Sequence, residues 1–262
     1  MTDNLALKRL IPVIIVLVLV TIVLIVLKFG TGTSVKYDMG MVEIPGGVFT
    51  MGCSLDDTTC SAQEKPRHEV ELDSYMLDKT PVTIGQYKKC VAANACKEPK
   101  WPVFYNKYGD NYPVSGITWF QAETFCGWAG KRLPTEAEWE YAVRAGSDSI
   151  RYGELNEISW WLENADKQIK PVGLKKPNNF GLYDMFGNVW EWCSDWMDPK
   201  YYQYSPAKNP KGAEKGVFKA LRGGYFKNQE RHLRASHRSK ENPVNWYNGV
   251  GVRCAKNNVV SP

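Results

Sequence analysis

The chain opens with its longest apolar run. Residues 10–27, LIPVIIVLVLVTIVLIVL, hold eighteen positions without a charge. At about 1.5 Å of rise per residue such a helix nearly spans a bilayer core, and Lys28 extends it by snorkelling. The pattern predicts one N-terminal transmembrane helix over residues 10–28, retained as an anchor. A cleaved signal peptide is the competing reading, but its apolar region is shorter, and Lys28-Phe29-Gly30 is a poor cleavage context. Lys8 and Arg9 precede the run while Lys28 and Lys36 follow it, so local charge hardly sets orientation. Residues 1–9 are then a cytoplasmic N-terminus and residues 29–40 a polar linker.

Beyond the linker the period changes. Residues 41–51, MVEIPGGVFTM, read as a hairpin of two apolar strands joined by a Pro-Gly-Gly turn, and residues 69–75, EVELDSY, alternate as a strand. Thr83 with Gln86, Thr118 with Gln121 and Thr135 with Glu138 are three capping boxes. They predict helices running to about Val91, through Ala129 with a stop at Gly130, and through Arg144 with a stop at Gly146. Pro134 enforces the break between the last two. Trp119, Ala122, Cys126 and Ala129 share one helical face, as do Trp139, Ala142 and Val143. Arg132, Glu136, Glu138 and Glu140 read as a solvated, capped helix start. Residues 92–113 are irregular, and from residue 150 onward the pattern gives short strands and loops without a helix. The expectation is one α+β domain over residues 41–257, with 258–262 as a tail.

Composition sharpens this. Ten Trp and fourteen Tyr, with 22 Gly and 15 Pro, indicate a loop-rich fold held together by aromatic packing. The densest stretch is residues 181–196, GLYDMFGNVWEWCSDW, where Tyr183, Phe186, Trp190, Trp192 and Trp196 alternate with Asp184, Glu191 and Asp195. Acids placed among buried aromatics must be paired, hydrogen-bonded or bound to a cation, so this stretch is either a core or a binding site. The net charge of +5 is modest and the basic residues are scattered, which leaves no footprint for nucleic acid. Among seven cysteines, Cys53 with Cys60 and Cys90 with Cys96 are close pairs, read as local disulfides in an oxidising compartment. Cys-x-x-Cys or histidine spacing for zinc is missing. Together with the anchor, this places the domain on the periplasmic or exterior side of the cytoplasmic membrane, and the odd count leaves one thiol over.

Six ordered segments carry a resemblance: MVEIPGGVFTMG, KTPVTIGQY, YPVSGITWFQAETFCGWAGKRLPTEAEWEYAVRAG, GLYDMFGNVWEWCSDW, LRGGYF and GVGVRCA. This set resembles the sulfatase-modifying-factor family, whose best-known members are formylglycine-generating enzymes. The resemblance implies a C-type-lectin-like α+β fold with low regular secondary structure. It implies calcium held by side chains at Asp184 and Glu191 with carbonyls at Gly187 and Val189, an oxygen set that suits that ion. A second family calcium site falls near Asn164, without a clear downstream acid. It also implies a disulfide between Cys126 and Cys254, and leaves Cys193 as a buried thiol.

The enzymes of the family oxidise a substrate cysteine using copper(I) on two cysteines shortly after the Gly-Gly motif, thiolates being the ligands that ion prefers. Here residues 227–239, KNQERHLRASHRS, contain no cysteine, so copper and formylglycine generation are not expected. By the same resemblance Tyr225, Phe226, Asn228, His232, His237 and Trp246 would line the cleft in which the enzymes bind an extended peptide. A metal at His232 and His237 lacks an evident third ligand. The reading is therefore a non-catalytic binding or scaffold module for a protein, peptide or glycan partner in the cell envelope. A different oxidation on the same fold, and a diversified lectin-like ligand-binding protein, are the alternatives.

Overall fold

The computed structural model describes residues 40–100 and 106–258; the expected helix over 10–28 and most of the linker lie outside them. Among the described residues no helix is long and apolar enough to cross a membrane. Strands β1 (Met41–Ile44), β2 (Gly47–Met51), β3 (His68–Leu72) and β4 (Tyr75–Asp78) come first. Helices α1 (Ile84–Ala92), α2 (Trp119–Trp128), α3 (Glu136–Arg144) and the single turn α4 (Leu155–Ile158) follow. The remaining strands are β5 (Ser159–Trp160), β6 (Phe186–Gly187), β7 (Trp190–Trp196), β8 (Lys219–Arg222), β9 (Ser239–Glu241), β10 (Val250–Gly251) and β11 (Ala255–Asn257). A mixed α/β domain with few helices and many loops is what results.

The hairpin expected over 41–51 does not form. β1 pairs with β4 and β2 pairs with β3, both antiparallel. Ile44 faces Tyr75 and Gly47 faces Leu72, so one register runs through both pairs, and 41–51 is a single bent strand laid along 68–78. Pro45 brings no N–H to the ladder, and a Cβ on Gly46 would lie 2.9 Å from Leu72 O and Ser74 N. The Pro-Gly pair bends a long strand over its partner instead of reversing the chain. The strand expected at 69–75 is likewise two strands, broken at Asp73-Ser74. β11 adds to β4 and closes a three-stranded sheet.

The three capping boxes form as expected, each threonine accepting from the backbone N–H three residues on. α2 ends at Trp128 with Ala129 as its cap, and α3 ends in a left-handed Ala145 at φ 46°. The second half does contain one helical turn, α4, which is too short to show an amphipathic period. The larger sheet runs β10-β7-β8-β9, with β10 and β7 parallel and the rest antiparallel. Alternation along β7 divides its side chains between two cores. Trp190 and Trp192 pack with Val82, Tyr87, Phe125 and Val252, while Cys193 packs with Leu77, Trp139 and Phe186.

Three disulfides clip this loop-rich chain. Cys53–Cys60 and Cys90–Cys96 close short loops, and Cys126–Cys254 ties α2 to a residue 128 positions away. Closing so long a loop contributes roughly 3–5 kcal/mol on chain-entropy grounds. Cys193 is the free thiol and is buried. Burial first, then the neighbouring Asp195 and Glu136 charges, push its pKa well up, so it stays protonated.

Candidate functional site

α3 is the post on which the C-terminal segment hangs, and its acids are not solvated as their sequence suggested. Glu136, Glu138 and Glu140 are 2%, 8% and 0% exposed. Four residues apart, Glu136 and Glu140 face one way, and arginines from distant loops meet them. Arg238 binds Glu136 through two 2.8 Å bonds. Arg222 reaches Glu140 at 2.6 Å and Glu136 at 3.3 Å, and the same two terminal nitrogens also donate to the Ala235 and Ser236 carbonyls, while its Nε is buried without a hydrogen-bond partner. Arg144 adds a second cation to Glu140. A parallel cluster sits beside it, where Arg234 grips Glu64 at 2.7 and 2.9 Å and also pairs with Asp57. Desolvation would raise the Glu64 carboxyl, but the Arg234 hydrogen bonds and charge outweigh it and hold the pKa at about 2. Arg234 and Arg238 therefore face inward as anchors, whereas the neighbouring Arg231 is exposed.

The 181–196 stretch resolves as core, with its acids treated unequally. Glu191 accepts from Arg253 at 2.9 and 3.0 Å and from the Trp139 indole at 2.7 Å. Asp184, at φ 54°, accepts from the Gly173 N–H with one oxygen at 2.7 Å. Its other oxygen is buried without a protein partner, as are Tyr152 Oη and Ser159 Oγ. Burial raises the Asp184 pKa to about 6, the Gly173 bond and Arg253 only partly opposing. The calcium test divides accordingly. Asp184 offers an unsatisfied buried oxygen, which fits a hard cation. Glu191 has its charge already neutralised by Arg253, which does not. Gly187 must be glycine, since a Cβ would lie 2.2 Å from Trp160 O. Val189 is buried in a small core with Ala165, Ile169 and Phe226. At the second family site, Asn164 spends its side chain locally, accepting from Trp161 N and donating to Asn156 Oδ1 and Ser159 O.

The expected cleft residues separate into core and face. Phe226 is 1% exposed and belongs to the core, which corrects its place in the groove. Asn228 is half-buried and closes a turn by accepting from Tyr225 N at 2.9 Å. Tyr225 lies over Gly249, where φ is +97° and a Cβ would meet its ring at 2.3 Å. The Trp190 N–H donates to the Gly249 carbonyl, and its ring packs 5.8 Å from that of His237. His232 stands 5.0 Å from His237, ring to ring. Tyr225, His232 and His237 are half-buried on this side, Trp190 backs His237 from the core at 9% exposure, and Trp246 is half-buried in the loop leading to Gly249. The expected place of Trp190 among core aromatics holds, and its contact with His237, 47 positions away, was not legible from the sequence.

This is an α+β domain whose C-terminal loops are pinned on buried arginine–carboxylate pairs, with its free thiol sealed inside. The chain belongs to the sulfatase-modifying factor enzyme 1-like domain family, which it matches over residues 31–258. It is 36% identical over 236 residues to the serine/threonine-protein kinase pkn1 of Chlamydia caviae, covering 82% of this chain and 38% of that protein. It is 31% identical over 278 residues to the formylglycine-generating enzyme of Streptomyces coelicolor, covering 82% and 88%. Among solved structures, PvdO from Pseudomonas aeruginosa superposes with a TM-score of 0.75 at 25% identity, covering 83% of this chain and 94% of that one. The chain therefore spans about two fifths of the kinase-named relative and most of the formylglycine-generating one.

Proposed function

We propose that this chain is a membrane-anchored, extracytoplasmic binding module that holds a peptide segment of an envelope partner without catalysing a reaction on it. The observation that carries the reading is the half-buried group Tyr225, His232 and His237, backed by Trp190, whose supporting loop is fixed by Arg222, Arg234 and Arg238 on buried carboxylates. Aromatic and polar side chains on a rigid support bind without first losing their own conformational freedom. Copper-dependent oxidation of a cysteine needs two free thiolates. Six of the seven cysteines are in disulfides here and the seventh is buried. The disulfides support an oxidising compartment, and the apolar run at 10–27 supports the anchor. Calcium belongs to this reading as a structural ion on the free oxygen of Asp184.

The test is site-specific photo-crosslinking in intact cells of the source organism. A crosslinker replacing Tyr225 or His232 captures a defined envelope protein, while one replacing Val48, exposed on another strand, does not. Equal capture from all three sites, or stoichiometric copper or iron accompanied by oxygen uptake in the purified protein, overturns the reading.

A further inference from the structure

The disulfide between Cys53 and Cys60 differs from the other two in its exposure. Cys90, Cys126 and Cys254 are fully buried and Cys96 is 8% exposed, whereas Cys60 is half-buried at the surface. Its partner Cys53 lines an open cavity of about 660 Å³, together with Ser54, Leu55, Asp57, Lys65 and Arg67. The Asp57 charge is held by Arg234 and that of Arg67 by Asp148, while Lys65 is exposed on the cavity wall. The cavity therefore admits a negatively charged entrant such as a thiolate.

The two sulfurs meet opposite surroundings. Cys53 Sγ lies 3.5 Å from the Ser54 and Asp57 carbonyl oxygens, which accept hydrogen bonds and cannot donate them. Cys60 Sγ lies 3.5 Å from Arg234 Nη1, a donor that carries charge. Ser236 Oγ is 3.9 Å from the same sulfur, but its proton goes to Glu64 at 2.8 Å. Once the bond opens, the Cys60 side suits a thiolate and the Cys53 side a protonated thiol. Arg234 is kept in place by Glu64, and its other carboxylate partner, Asp57, belongs to the bridged loop itself. Opening that loop frees Asp57 to leave Nη1 to the new thiolate.

We propose that Cys53–Cys60 is a thiol–disulfide exchange site, attacked at Cys53 through this cavity and releasing Cys60 to Arg234. The reductant class is a dithiol. Its first thiolate attacks Cys53 Sγ, a mixed disulfide forms there, and the electron pair of the broken S–S bond leaves on Cys60. The second thiol gives its proton to solvent and attacks the reductant's own sulfur in the mixed disulfide. That step closes the reductant into a disulfide and expels Cys53, which takes up a proton. The dithiol is oxidised by two electrons and the Cys53–Cys60 bond is reduced by two. Arg234 also donates to His237 Nδ1 at 3.2 Å, so the state of this bond is felt in the C-terminal segment. The site is independent of the peptide-binding reading and needs no partner peptide.

The test uses the full-length chain in detergent micelles, treated with dithiothreitol for increasing times. Each sample is quenched in acid, denatured and alkylated, and its peptides are read by mass spectrometry. Cys193, already a thiol, supplies the fully labelled reference. Cys53 and Cys60 are expected to become labelled at least about tenfold faster than the other four bridged cysteines, the size of one hydrogen bond to a charged leaving group. Equal or slower labelling overturns the site. Glutathione, a monothiol that cannot complete the second step, then reports which sulfur is attacked. The mixed disulfide is expected on Cys53, with Cys60 free to be alkylated. Exposure alone would direct glutathione to the more accessible Cys60, so a mixed disulfide found there, or spread equally over both sulfurs, overturns the proposal. In long-range ¹H–¹⁵N spectra the His237 ring signals are expected to move on reduction of the parent and to stay fixed in a Cys53→Ala/Cys60→Ala chain given the same dithiothreitol. Signals that move equally in both, or in neither, sink the link to the C-terminal segment.

Discussion

Two regions of this domain bury carboxylates in comparable numbers and treat them in opposite ways. Around α3 and the C-terminal segment, Glu136, Glu140 and Glu64 each meet at least one arginine in good geometry. In the 181–196 stretch Glu191 has Arg253, but Asp184 and Asp195 have only backbone and hydroxyl donors. The first region therefore keeps its charges, while in the second burial raises the pKa of Asp184 to about 6 and of Asp195 to about 7. Burial alone does not decide the state of an acid; the cation brought to it does.

The largest effect that could break this comparison is removal of a shared cation. Arg222→Met leaves Glu136 and Glu140 short of a partner in the core and is expected to cost about 3–5 kcal/mol, measured by urea unfolding. Adding Glu140→Gln should recover part of that loss, because a buried charge left with Arg144 as its remaining cation is then gone. If the single variant is as stable as the parent, the network is not what holds the C-terminal segment.

The second region should respond to pH in the opposite sense. The Asp195 pKa is raised from 3.8 to about 7, chiefly by burial and then by Glu136. A carboxyl whose folded pKa exceeds its unfolded one holds its proton more tightly in the native state. Its penalty is absent below about pH 4 and complete above about pH 7, on the order of 4 kcal/mol. Asn at that position keeps an acceptor for the Glu136 N–H, so Asp195→Asn should flatten the fall in stability between pH 4 and 7. Glu64 runs the other way. Its folded pKa is depressed to about 2, so its contribution is present above its unfolded pKa of 4.5 and lost as pH falls toward 2. Arg234→Met should abolish that acid limb without altering the Asp195 limb.

Smallest is the calcium effect. At a hundredfold excess over its Kd the ion should add about 2.7 kcal/mol, read as a rise in thermal midpoint. Asp184→Ala should eliminate the rise, and a parent midpoint indifferent to calcium would sink the site at Asp184.

Much of this was legible in the chain. A threonine three residues before a Gln or Glu satisfies helix N–H groups with local atoms alone, so all three helix starts were readable. The close cysteine pairs also needed no distant partner, and the ordered motifs carried the family and its fold class. The Pro-Gly-Gly bend was misread because a two-residue break looks the same whether the strand reverses or continues, and only residues 68–78 choose between them. α3's acids were misread for a related reason. Glu136, Glu138 and Glu140 look like a solvated helix start until Arg222 and Arg238, about ninety residues later, arrive to neutralise two of them.

By itself the sequence determined which residues must be buried, where helices begin, that the copper-binding cysteines are missing and which family the chain belongs to. The first two follow from composition and from contacts within one or two turns, the last two from the ordered motifs that carry the family resemblance. Tertiary structure decided which acid keeps its charge, that Phe226 is core, and that His232 and His237 meet ring to ring beside Trp190. Charge state depends on atoms within about 4 Å in space, and the chain brings those atoms from positions as far apart as Asp57 and Arg234.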